Sequence, residues 1–216
     1  MSKITGPVYR TEVGRNYYVK IYKEPSGNSV IGGDTAGEGS DFFVAQVLDA
    51  NGTQCAVLHH QFDEDLYVRQ VYCLGTWYRS LIAIEANFGP LSNRELQRLR
   101  YPSLYVRETY DQIGMNAEEK YGFKTTQLTR PLIINQLVEI VREHTSKIND
   151  RETLQEMLSF VRNEKKNGRP EASQGAHDDL VMGLAIAYEA LHQLPAQRPV
   201  IKKVTRDEDL AFFDYQ

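Results

Sequence analysis

The sequence holds only two cysteines, Cys55 and Cys73. They lack the C-x-x-C or Cys/His spacing of a zinc site, and a chain of this size does not depend on one disulfide, so reduced, part-buried thiols are expected. Long hydrophobic runs are missing too. No segment approaches the roughly 20 apolar residues of a membrane span, and residues 1–7 lack the apolar core of a signal peptide. A soluble intracellular protein without membrane contact is expected. The absence of repeats and low-complexity tracts excludes solenoid and fibrous designs. Basic charge is not in excess: 25 Lys and Arg stand against 29 Asp and Glu, a formal net charge of −4. That excludes a uniformly basic nucleic-acid coat. It does not exclude DNA as a partner, because an average hides the local field and an acidic metal site carries charge that cations would offset.

What is present suits one α/β domain. The 216 residues are 41% hydrophobic and 25% charged, ordinary globular values in a chain long enough to bury a substantial core. Residues 1–15 read as a lead-in, 16–194 as the domain and 195–216 as a peripheral tail. After an edge strand at 17–22, apolar runs at 29–34, 42–49 and 54–62 are separated by turn residues, with Asn51-Gly52 the strongest hairpin signal. They predict an antiparallel three-strand meander. A helix at 63–79, capped by Asp63, then leads to the aliphatic run 81–84, predicted parallel to a meander strand because a helical crossover separates them.

Further on, 90–100 reads as a short helix, 103–108 as a fifth strand and 109–126 as a protruding loop or hairpin. Thr129 is a candidate cap for the next helix, with Ile133, Leu137, Ile140 and Val141 at helical spacing. Residues 151–160 suit an amphipathic helix and 161–173 a charged strand or loop. The last helix runs to about residue 193, with a buried stripe of Leu180, Leu184, Tyr188 and Leu191.

Acids fall at three special places. Asp34 ends the run Ser-Val-Ile-Gly-Gly-Asp, Glu85 ends Leu-Ile-Ala-Ile-Glu, and Asp178-Asp179 opens the last helix. Each has a plain explanation: Asp34 as a turn residue, Glu85 as a paired buried acid, and the aspartates as caps favoured by the helix dipole. Together they describe carboxylates that converge at one edge of a sheet. Hard oxygen ligands without Cys or paired His suit Mg²⁺ or Mn²⁺, which would relieve their mutual repulsion.

Four segments, Gly-Gly-Asp-Thr-Ala-Gly-Glu-Gly-Ser-Asp (32–41), Ile-Ala-Ile-Glu-Ala-Asn-Phe-Gly (82–89), Tyr-Gly-Phe-Lys-Thr-Thr-Gln-Leu-Thr-Arg-Pro (121–131) and Gly-Ala-His-Asp-Asp-Leu-Val-Met-Gly-Leu-Ala-Ile-Ala (175–187), occur in the order found in a known family. Over residues 15–192 the chain resembles the C-terminal nuclease domain of tailed-bacteriophage terminase large subunits. The resemblance implies an RNase H-like fold: a mixed sheet of an antiparallel meander plus parallel strands, flanked by helices. It also implies a metal-dependent endonuclease that cuts concatemeric double-stranded DNA in the host cytoplasm during genome packaging. Asp34 would bridge two ions, Glu85 would be the second-motif ligand, and Asp179 the third, with Asp178 sharing an ion or bound through water. The ions would lie roughly 3.5–4 Å apart about the attacking and leaving oxygens.

The same resemblance makes Lys124 and Arg130 candidates for DNA phosphates, or else members of a solvated loop. His177 would orient the phosphate or a water, or simply pack. Asp41 matches a family position and reads as structural, while Arg98, Arg100, Lys165, Lys166 and Arg169 are further phosphate candidates. Family members carry a packaging ATPase, yet this sequence has no Gly-x-x-x-x-Gly-Lys-Ser/Thr phosphate loop, so a nuclease without its motor is expected, acting with a separate ATPase domain, small terminase subunit and portal. Other readings are a related nuclease such as a Holliday-junction resolvase, or a non-catalytic module that docks DNA or portal.

Overall fold

A computed structural model describes residues 19–35, 42–61, 63–87, 91–110, 117–163, 169–172 and 177–194. Five strands form the central sheet: β1 (Val19–Ile21), β2 (Ser29–Asp34), β3 (Phe43–Asp49), β4 (Gln54–His60) and β5 (Ser80–Ile84), in the spatial order β1-β4-β3-β2-β5. The meander β2-β3-β4 is antiparallel as expected, and the helix α1 (Glu64–Tyr78) carries the chain across it so that β5 pairs parallel with β2.

Strand alternation divides the core in two. Ile31, Ala45, Val47, Ile82 and Ile84 pack towards Tyr67, Val71 and Leu74 of α1. Val30, Leu48, Leu81 and Ala83 face the other way, against Ile133, Ile134 and Leu137 of α3 (Thr129–His144) and almost the whole of α5 (Asp179–Ala190). The expected stripe holds at Leu180, Leu184 and Tyr188, with Leu191 partly buried, but burial extends to every residue from Leu180 to Ala190 except Glu189. The helix is sandwiched between the sheet and helices α3 and α4 (Arg151–Ser159), which leaves it no solvated face.

Three further expectations need correction. The fifth strand at 103–108 is only a bridge: Leu104 pairs with Ile82, and the chain then peels into a separate antiparallel ribbon of β6 (Val106–Tyr110) and β7 (Ala117–Tyr121). The hairpin alternative for 109–126 therefore holds for its described part. Asp63 occupies the N-cap of α1 but its side chain caps nothing. The cap of α3 is Thr126, not Thr129 alone: Thr126 Oγ1 accepts from the amide of Thr129 at 3.0 Å while Thr129 Oγ1 accepts from the amide of Thr126 at 2.8 Å, a reciprocal box.

The charged segment after α4 is a second ribbon, β8 (Phe160–Asn163) with β9 (Arg169–Ala172). Cys55 and Cys73 are buried and form no disulfide. No helix among the described residues is long and apolar enough to cross a membrane. The lead-in and the 195–216 tail lie outside the described residues.

Candidate active site

Register fixes the two strand-end acids. Gly33 of β2 pairs with Ile84 of β5, and the Glu85 amide donates to the Gly33 carbonyl at 2.9 Å, so Asp34 and Glu85 leave the sheet side by side at the same ends of adjacent parallel strands. Alternation sends Val30, Gly32 and Asp34 to the α5 face, and Leu81, Ala83 and Glu85 to the same face. Both carboxyls are buried, at 8% and 5% residue exposure, where an unpaired charge would be costly. Each is the other's partner: burial first, then the charge and hydrogen bond of Glu85, push the Asp34 carboxyl well above the usual carboxylate range.

Asp178 and Asp179 add to that upward push, Asp179 more strongly, which puts the start of α5 over the same point. Glycine makes that approach possible. A Cβ on Gly32 would stand 2.2 Å from the Ala187 amide nitrogen and 2.3 Å from the Gly183 carbonyl oxygen, so only glycine lets α5 lie directly on β2. On the far face a Cβ on Gly33 would meet the Tyr67 hydroxyl at 2.4 Å, and that hydroxyl donates to the Val44 carbonyl at 2.7 Å, beneath the pair Asp34–Val44.

The first turn of α5 is held by groups that the sequence did not single out. Gln46 Nε2 of β3 donates to the Leu180 carbonyl at 3.2 Å and to Thr153 Oγ1 at 3.1 Å. From α4, Glu156 Oε1 accepts the Val181 amide at 2.8 Å, capping the helix from outside. Burial, opposed by that amide and reinforced by Asp179 and Asp178, pushes the Glu156 carboxyl up to about 8. A Gln inside the apolar run of β3 was a visible signal. Glu156 gave none, since an acid on a charged helix reads as a solvated face.

Around this acidic centre, Asp178 is ion-paired with Arg130, and His177 Nδ1 lies 3.7 Å from Asp179 Oδ2. The half-exposed His177 ring also meets the edge of Phe42, with centroids 5.6 Å apart. Phe123 forms a bridge with Glu85, and the exposed Lys124 follows it in the chain. Arg98 is a surface residue paired with Glu95 at 2.6 Å at the end of helix α2 (Leu91–Arg98), and Arg100, two residues beyond it, has φ of 55°. Asp41, Lys165 and Lys166 lie outside the described residues, and Arg169 falls within β9.

Among the described residues no three His, Cys, Asp or Glu side chains stand where they could grip one ion together. Asp34 faces Glu85, Asp178 turns to Arg130, and Asp179 turns towards His177. The donor set still fits a divalent cation. It is all carboxylate oxygen, Asp34 and Glu85 are buried, and burial first, then the neighbouring carboxylates, raise the Asp34 carboxyl, a load that a bound cation would relieve.

Comparison with protein-family models and with curated proteins gives no match to this sequence. Comparison with solved structures does. The large terminase nuclease from thermophilic phage G20c is similar with a TM-score of 0.59 at 20% identity, over 81% of this chain and 89% of that one. Crystals of the same nuclease with bound cobalt (TM-score 0.61, 19% identity, 81% and 88% covered) and with bound zinc (0.56, 18%, 81% and 89%) agree. This chain has the RNase H-like fold of that large terminase nuclease.

Proposed function

We propose that the chain is a divalent-metal-dependent endonuclease of the phage terminase type, which hydrolyses phosphodiesters of concatemeric double-stranded DNA during packaging. The observation that carries this reading is the register-locked pair Asp34–Glu85 under the start of α5, with Asp179 above it. Those three carboxylates would hold the ions, Mg²⁺ or Mn²⁺ in the cell, and the cobalt- and zinc-bound G20c nuclease supports a divalent ion on this fold. When bound, such ions supply water activation and charge neutralisation on the scissile phosphate.

The protein's own contribution is placement. The sheet brings two carboxylates together, the close approach of α5 would bring the third, and Lys124, exposed and next to the residue that bridges Glu85, would take a neighbouring phosphate, which sets register rather than sequence choice. His177, beside Asp179, is suited to orient the phosphate or a water. The partners of this reading are double-stranded DNA, a packaging ATPase domain, a small terminase subunit and portal, in the host cytoplasm.

Plasmid digestion with Mg²⁺ or Mn²⁺ tests it. Cutting by the chain, and its loss in Asp34→Ala, Glu85→Ala and Asp179→Ala, is expected. Equal cutting by all three variants overturns the assignment, and preference for four-way junctions over linear duplex would move it to resolvases.

A further inference from the structure

The geometry points to Arg130 as the positioning residue that decides which of the two adjacent aspartates serves the ion site: by holding Asp178 in an ion pair, it makes Asp179 the carboxylate that would join Asp34 and Glu85 on a bound ion. This rests on the metal-site reading above.

Asp178 stands at the N-cap of α5 yet makes no capping bond with its side chain; the carboxylate is directed instead to Arg130. Both partners are about three-quarters buried, at 26% and 28% side-chain exposure, so the pair is shielded from the screening that weakens surface bridges. Asp179 is more buried still, at 16%, and acts on Asp34 more strongly than Asp178 does.

Arg130 is firmly rooted. Its amide donates to the Thr126 carbonyl at 3.1 Å inside the reciprocal Thr126/Thr129 cap, and Asn87 holds the Thr125 carbonyl at 2.5 Å. A few residues upstream, Phe123 bonds both sides of Glu85, to the Ile84 carbonyl at 2.9 Å and from the Ala86 amide at 2.8 Å. The segment that positions Glu85 therefore also carries the cation that withdraws Asp178. The sequence suggests a DNA phosphate contact or a solvated loop for Arg130; here its charge is engaged by Asp178.

Mn²⁺ titration of the full chain by calorimetry, without DNA, separates the two roles. Asp179→Asn is expected to weaken Mn²⁺ by roughly 10–100-fold, the scale of losing a group that builds a metal site. Asp178→Asn alone should change affinity little. Arg130→Gln should tighten Mn²⁺ several-fold, because the released Asp178 adds a carboxylate, and the double variant Arg130→Gln/Asp178→Asn should return to the parent value. Damage to the fold would weaken binding, not tighten it.

The inference is overturned if Asp178→Asn weakens Mn²⁺ as much as Asp179→Asn does. It is overturned equally if Arg130→Gln leaves Mn²⁺ binding unchanged while lowering DNA affinity and its salt dependence, which would make Arg130 a phosphate contact. A parent chain that binds no Mn²⁺ at all would instead remove the metal-site reading, and this inference with it.

Discussion

Gly32 of β2 and Gly183 of α5 meet with no room for a side chain between them: a Cβ on Gly32 would lie 2.3 Å from the Gly183 carbonyl oxygen. The obstructing atoms belong to helix backbone and cannot rotate aside. Gly32→Ala is therefore expected to push α5 off the sheet, costing about 2–3 kcal/mol and roughly 5–10 °C of Tm. Because the shift also lifts Asp179 from Asp34, Mn²⁺ affinity should fall even at temperatures where the variant is folded. Gly183→Ala, whose Cβ would meet the Val44 side chain at 2.9 Å, should be milder. Thermal melts and Mn²⁺ titration of both variants check this.

Asp34→Asn should separate stability from activity. An Asn amide can donate to Glu85 at any pH without bringing a second carboxyl into the buried site. In chelator at pH 8 the variant is expected to melt higher by about 2–6 °C, roughly 0.5–2 kcal/mol, while cutting is lost. A lower melting temperature would mean that the pair stabilises the metal-free fold.

The pH dependence of stability follows from two raised carboxyls. Folded Asp34 and Glu156 bind their protons more tightly than the unfolded chain does, so metal-free stability should fall as pH rises from the ordinary carboxylate range to about 8, the Glu156 value. At Asp49 and Asp150 burial also pushes upward, but hydrogen bonds from Lys23, Thr53 and Asn51, and from Tyr22, Thr153 and Lys20, outweigh it; these lowered groups act only at more acid pH. Urea midpoints should decline from pH 6.5 to pH 8, above the range where His59, lowered mainly by burial, works the other way. Glu156→Gln, which keeps an oxygen for the Val181 amide, should flatten the slope.

Lys124→Ala tests the DNA face without touching the acids. Lys124 is exposed and follows the residue that bridges Glu85. Loss of one phosphate contact should weaken binding to all duplexes alike and reduce the log–log salt slope by about one, with Mn²⁺ affinity unchanged. Fluorescence anisotropy over a salt series would show it.

Much of this architecture was written locally. Asn51-Gly52 between apolar runs marked the hairpin of β3 and β4, and the helix before residues 81–84 marked the parallel pairing that brings Glu85 beside Asp34. Local patterns failed where tertiary contacts overrode them. Residues 103–108 carry strand-like composition, yet the chain leaves the sheet edge after a single bridge at Leu104 and pairs with β7 instead. Thr129 looked like a cap because it precedes Pro131, but the chain closes its reciprocal box one turn earlier, at Thr126. Gly32-Gly33 within a strand is a legible sign of close backbone approach.

The sequence by itself determined the order of strands and helices and put carboxylates at two strand ends and a helix start, because hydrophobic period and turn chemistry act between near neighbours. Only the tertiary structure decided how those acids are shared out. Asp34 pairs with Glu85 through register across parallel strands, Asp178 turns to Arg130 from α3, and Glu156 of α4 caps the start of α5. Charge and desolvation act through space between residues up to about 150 positions apart, as Asp34 and Asp179 are. No periodicity along the chain encodes which partner each carboxylate finds.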